Sequence, residues 1–265
     1  MYSYGSQPPL QLAIGDDFER MDANWNVGGF GGNLKVKFPH CACLLHWNGA
    51  RKYWLDDGRY KDLVNSTFTP CNPSPNQKIS RTKVQYVPMI PDEKKSKEEK
   101  QGWRGGKRKD QIDIEKKLSS QTVHLLYAAD HDAMPGLDAS VRSILKHASE
   151  RVVIHHVGTE PLEPSIFSDV EFHPLADVHR IHNLTRFTNP HVSRHRSVRR
   201  LTSLANYVRF VMADMFPDVG KIMWIDADTI IRCDIVPFFR SALSTSNHTI
   251  LARLMGGRPV EHLGK

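Results

Sequence analysis

From Thr122 onward the chain alternates apolar runs of strand length with stretches of helical period, and this alternation narrows the choice of fold more than any other feature. "TVHLLYAA" (Thr122 to Ala129), "RVVIHHVG", "VEFHPL", "KIMWI" (Lys221 to Ile225) and "HTILARL" read as strands, being short apolar runs rich in β-branched residues. In "PGLDASVRSILKHA" Leu137, Val141, Ile144 and Leu145 recur at helical spacing behind Pro135, which suits a first helical turn. "LTSLANYVRFVMADMF" places Leu204, Val208, Val211 and Met215 within about 40° of one line at about 100° per residue. It predicts an amphipathic helix ending before Pro217, and "VPFFRSAL" predicts a short one. Such alternation calls for a mostly parallel sheet layered between helices, an α/β Rossmann-like half-domain.

The remainder divides at changes of composition. Residues 1–71 are loop-rich around one good strand, "KVKFPHCACLLHW"; 72–119 form a linker; 120–265 carry the alternation. The net charge of +7 invites a nucleic-acid reading until its location is considered. Residues 72–119 hold 13 Lys/Arg against 7 acidic residues, so nearly all of the excess sits there. That stretch has no sustained apolar period and cannot bury enough surface to order itself, which predicts a disordered basic tether rather than an RNA- or membrane-binding tail. A second basic stretch, His179 to Arg200, packs six arginines and four histidines into 22 residues and reads as a solvated loop rather than one by the donor cleft that grips an anionic acceptor or closes over diphosphate.

Four cysteines (Cys41, Cys43, Cys71, Cys233) contain no CxxC pair, and Cys41 and Cys43 would share a strand face, poorly placed to bridge each other. They leave the compartment undecided. Three glycosylation sequons, at Asn65, Asn183 and Asn247, suit a secreted protein. "MYSYGSQPPLQ" lacks the basic and apolar parts of a signal peptide, and no apolar run approaches membrane-spanning length.

Open parallel sheets bind ligands at the carboxyl ends of their strands, and Asp226 and Asp228 leave "KIMWI" at that end. Two carboxylates around a small Ala227 can turn to one hard cation, Mg²⁺ or Mn²⁺, of the kind that bridges diphosphate oxygens. Acidic residues also commonly cap strand-to-helix turns, and Asp130-His131-Asp132 repeats the spacing after the first strand. Asn206 and Arg209, three apart on the preceding helix, would stand on its polar side, with Arg209 able to grip a phosphate as a fixed fork or to remain an exposed arginine.

Taken together, "HLLYAADHDAM…SVRSIL" and "LTSLANYVRFVMADMFPDVGKIMWIDADTIIRCDI" resemble the first half of a family 8 glycosyltransferase, the retaining nucleotide-sugar enzymes of the A-type glycosyltransferase fold. The front block resembles the last part of that family: "DDFERMDANWNVGGFG" matches the stretch with a buried Trp-Asn, and "LLHWNGARKYW" the closing His-x-x-Gly-x-x-Lys-Pro-Trp motif. The resemblance implies that Asp226, Asp228 and His46 hold a metal, Mn²⁺ or Mg²⁺. Gly49 would give room beside the diphosphate and Lys52 would contact phosphate. Ala128, Asp130 and Asp132 would face uracil and ribose, while Asn206 and Arg209 would lie on the nucleotide. Tyr53 stands where the motif has proline, which bears on the aim of Lys52.

His46 precedes Asp226 by 180 residues, so the family's closing motif comes before its opening half. Nothing here matches the family's Asn-Ala-Gly stretch after the aspartates or its Asp-Gln-Asp stretch before the Trp-Asn region. This combination suggests the end of one catalytic domain, a tether and the start of a second, a fragment of a tandem parent. A 48-residue coil spans about 35–42 Å, enough for the two half-sites to meet in one molecule. The function implied is transfer of a sugar from a UDP-sugar to a hydroxyl of a glycan or protein acceptor with retention, in the Golgi or secretory lumen if the parent carries an anchor. The alternatives are a catalytically inactive nucleotide- or glycan-binding domain and, third, a polyanion binder.

Overall fold

In the computed structural model, residues 19–20, 23–32, 36, 42–65, 122–188, 203–244 and 251–252 are described. Their strands are β1 (Glu19–Arg20), β2 (Val27–Gly28), β3 (Leu44–His46), β4 (Val123–Ala129), β5 (Val152–Gly158), β6 (Val170–Pro174), β7 (Met223–Trp224), β8 (Thr229–Ile231) and β9 (Leu251–Ala252). Three longer helices accompany them: α1 (Met134–His147), α2 (Leu175–His182) and α3 (Ile235–Ser244).

The main sheet is parallel throughout, in the order β6-β5-β4-β7. Its middle strands are apolar on both faces because helices cover both. On one face Leu125 and Tyr127 meet Leu137, Val141 and Ile144 of α1; on the other Leu126 and Val157 meet Val178, Tyr207 and Val208. This is the α/β Rossmann-like arrangement expected. Pro135 begins α1, and Lys146 and His147 close it where the helix dipole favours positive charge.

Three expectations are corrected. Leu145, assigned to the buried stripe of α1, is 40% exposed, because its step along the helix carries it past the sheet. The stretch before the aspartate strand is not one amphipathic α-helix. Leu204–Phe210 is a 3₁₀ helix, Val211 leaves helical geometry at φ −118° and ψ 4°, and only one α-turn follows, Met212–Met215. Ala205, Tyr207, Val208 and Val211 are nonetheless buried, so the apolar stripe is kept by a tighter winding. The basic stretch expected as a solvated loop begins as structure: α2 runs to His182, Asn183 ends it in the left-handed region at φ 47°, and a 3₁₀ turn, Leu184–Phe187, follows. Its remainder from residue 189 and the linker 72–119 lie outside the described residues.

The front block joins this half-domain through a second sheet, β2-β3-β8, in which β3 runs antiparallel to β8 with Leu44, Leu45 and His46 opposite Ile231, Ile230 and Thr229. Trp25 stacks on Phe238 at 4.0 Å between centroids, and Phe30, Leu45, Trp47 and Tyr53 form a buried cluster with Ile230. A disulfide between Cys43 and Cys233, 190 residues apart, ties the strand pair together; spacing alone offered no hint of it. Among the described residues no helix is long and apolar enough to cross a membrane.

A cross-link closing so long a loop stabilises mainly by restricting the unfolded chain. The Cys43→Ser/Cys233→Ser variant is expected to lose about 2–5 kcal/mol in urea unfolding, with the loss vanishing when both proteins are compared under reducing conditions.

Candidate active site

Asp226 and Asp228 follow β7 at the carboxyl end of the main sheet, one turn before β8 begins. Period-two geometry puts Trp224 on the same side as Asp226, and its indole N–H donates to Asp226 Oδ1 at 2.8 Å. The Arg209 guanidinium lies 4.5 Å above the Trp224 ring and donates to the same oxygen at 3.4 Å. A single aromatic thus positions both the carboxylate and the arginine.

His46 arrives from the other side. β3 ends at His46 opposite Thr229, and its Nε2 reaches Asp228 Oδ1 at 3.1 Å and Asp226 Oδ2 at 3.6 Å. Its Nδ1 meets Asn26 Oδ1 at 2.9 Å. An amide oxygen can only accept, so Nδ1 carries a proton; Nε2 then donates to Asp228 when the ring is charged and offers a lone pair to a cation when it is neutral. Asn26 was not among the expected site residues, although it lies in the quoted Trp-Asn stretch.

Lys52 completes the cluster: Nζ donates to Asp228 Oδ2 and to the Trp47 carbonyl at 2.9 Å. Tyr53, in place of the motif's proline, is buried, and its hydroxyl donates to the Gly136 carbonyl at 3.1 Å. Trp54 lies beside it with Nε1 donating to the Asp132 carbonyl at 3.2 Å. A Cβ on Gly136 would stand 2.5 Å from the Trp54 ring, so only glycine allows this fit. Gly49 has φ +121°, and a Cβ there would meet the Gly31 carbonyl at 2.5 Å; backbone crowding by itself accounts for glycine.

Of the expected residues, the fold gathers His46, Lys52, Arg209, Asp226 and Asp228 into one cluster. Asn206 touches it through its backbone, its carbonyl accepting from Arg209 Nε at 3.1 Å. Ala128 is the penultimate residue of the neighbouring strand β4, Asp130 follows the strand, and Asp132 stands exposed on the next turn, at the rim rather than in the cluster.

Burial would lower the His46 pKa, but the charge and hydrogen bond of Asp228, with Asp226 behind, outweigh it and the net shift is upward. Burial pushes Asp228 up; His46 and Lys52 overcome this and hold it well below the usual carboxylate range. The His46, Asp226 and Asp228 ligand atoms all lie within 4.8 Å of one another. Two carboxylates and one imidazole pre-oriented by Asn26 are a donor set that fits Mn²⁺, with Lys52 and Arg209 holding the charge meanwhile.

Residues 124–253 match the family model described as glycosyl transferase family 8. This part of the chain is similar to glycosyltransferase family 8. Over 66 residues the chain is 41% identical to "Probable galacturonosyltransferase-like 10" of Arabidopsis thaliana, a match covering 22% of this chain and 18% of that protein. The chain therefore aligns with less than a fifth of that relative's length. No solved structure matches it. The family 8 segment contains Arg209, Asp226 and Asp228; His46 and Lys52 come from outside it and meet it through β3.

The coupled pair sets a pH window without metal. Asp228, depressed, contributes stability present above its unfolded pKa of about 3.9 and lost as pH falls through its folded value. His46, raised, contributes stability complete below about 6.5 and lost as pH rises through its folded value. Urea unfolding in chelator is expected to show this contribution in full between about pH 4 and 6.5, and His46→Gln to remove the loss on the alkaline side.

Proposed function

We propose that this site binds a nucleoside diphosphate sugar, a UDP-sugar, together with Mn²⁺ or Mg²⁺, and that the protein transfers the sugar to a hydroxyl of a glycan or protein acceptor with retention. The observation that carries the reading is the meeting of His46 with Asp226 and Asp228 at the carboxyl end of a parallel sheet, beside Lys52 and Arg209. The name of the Arabidopsis relative makes UDP-galacturonate the first donor to try. The Cys43–Cys233 bridge supports folding in an oxidising lumen such as the Golgi.

His46, Asp226 and Asp228 would hold the metal, which supplies a fixed positive charge against the diphosphate that leaves the sugar. Asn26 keeps Nε2 of His46 aimed at that position. With the carboxylates on the metal, Lys52 and Arg209 would be free to hold phosphate oxygens, the arginine braced by Trp224. Ala128, Asp130 and Asp132 form the rim on which uracil and ribose would rest. Trp54 and Tyr53 fix that rim to α1. A fragment of a tandem parent remains our reading of the segment order.

The ion pair between Lys52 and Asp228 favours a second reading, binding without turnover, because a lysine committed to a carboxylate is not available to a leaving diphosphate. Calorimetry with UDP and Mn²⁺, followed by a UDP-sugar hydrolysis assay, separates the two. Asp226→Asn/Asp228→Asn is expected to weaken UDP–Mn²⁺ binding about 100-fold or more. Unchanged UDP binding in that variant would defeat both readings. Mn²⁺ affinity should also fall by up to about tenfold per pH unit below the raised His46 pKa, since the ring must lose a proton to bind.

A further inference from the structure

A second group of metal-competent side chains lies on the main sheet, outside the site described. β5 and β6 run parallel with His155 opposite Glu171 and Val157 opposite His173, so all three side chains emerge on the face that carries Leu126 and Val157. His155 Nδ1 lies 3.1 Å from Glu171 Oε2 and 3.3 Å from His173 Nε2, and the three ligand atoms lie within 4.8 Å of one another. On its other side His155 Nε2 meets His124 Nδ1 at 3.0 Å, and Phe216 covers the ring with centroids 4.5 Å apart.

Hydrogen bonding serves this arrangement poorly. Glu171 Oε2 only accepts, and Nε2 of a neutral His173 meets Nδ1 of His155 either as an acceptor or as a competing donor; one N–H on His155 cannot satisfy both well. Three lone pairs converging on one point are what a cation satisfies. Ligands at about 2.0–2.1 Å from a tetrahedral Zn²⁺ stand about 3.4 Å apart, close to the separations seen from His155.

We infer that His155, His173 and Glu171 form a zinc-type site, distinct from the Asp226–Asp228 cluster, that pins the outer strand β6 to β5. Two imidazoles and one carboxylate favour Zn²⁺ or Co²⁺, whereas the two-carboxylate cluster is the harder site. His124 acts as the positioning partner: with Nδ1 of His155 on the metal, Nε2–H donates to His124 and fixes the ring. Glu171 is exposed and gives the ion its entry, with water as the fourth ligand.

The test is cobalt and zinc binding by the full chain. Dialysis is expected to show the intact protein holding one more equivalent of Co²⁺ than His173→Ala, with the ligand-field spectrum of tetrahedral Co²⁺ present only in the former. Zn²⁺ should raise the thermal midpoint of the intact protein, and Glu171→Gln, at an exposed position that leaves the fold alone, should blunt the rise. His124→Gln should weaken binding about 10- to 100-fold while keeping the tetrahedral spectrum. Equal Co²⁺ stoichiometry and unchanged spectra in the intact protein, His173→Ala and Glu171→Gln would overturn the inference.

Discussion

The antiparallel pairing of β3 with β8 is the constraint on which the rest depends. Three residue pairs join segments more than 180 residues apart, and the ladder continues beyond them: Arg232 N–H donates to the Cys43 carbonyl at 2.7 Å and Trp47 N–H to the Asp228 carbonyl at 2.9 Å. Because side chains alternate along a strand, a slip of one residue would send His46 away from Asp226 and Asp228 and expose Leu45. Burial of Leu45, Trp47 and Ile230 opposes that slip, and the Cys43–Cys233 bridge fixes the register at one end. Site and core are specified by the same few bonds.

Electrostatics within the site follow from this enforced proximity. Asp228 is only 15% exposed, so its charge has lost most of its water, and His46 and Lys52 replace it. An ionic group so arranged is not an economical way to stabilise a fold, since well-fitted apolar residues do as well. Perturbed ionisation beside a sheet's ligand-binding edge instead marks a place for a charged partner. The histidine group across β4, β5 and β6 obeys the same logic with softer donors. The two sites therefore differ in the ion they suit because they differ in the proportion of imidazole to carboxylate.

Much of the back half was legible because its signals are local. Apolar run length marks β4 and β5, period 3.6 marks α1, and Asp226 and Asp228 sit just past a strand, where such sheets bind ligands. What stayed hidden depends on contacts between distant segments. Cys233 follows β8 and Cys43 precedes β3, so their partnership appears only once the register is known. Asn26 gains its meaning from His46, twenty residues on, through a side-chain bond that no periodicity encodes. The apolar spacing from Leu204 to Met215 encodes burial and not winding, and a 3₁₀ turn hides Tyr207 and Val208 as well as an α-helix would.

The reversed motif order that the sequence resemblance implies also has a physical resolution. A sheet is defined by which strands are neighbours, and nothing in the β3–β8 ladder records which of them is synthesised first. Order enters only through the entropy of bringing the strands together, which grows slowly, by about 0.6 kcal/mol for each doubling of the connecting length. Moving a closing strand from after β8 to far before β4 therefore costs little compared with the apolar surface that Trp25, Leu45 and Trp47 remove from water. The disulfide reduces the cost further by restricting the unfolded chain. The metal-competent cluster tolerates the reversal because its geometry belongs to the ladder and not to the path of the chain.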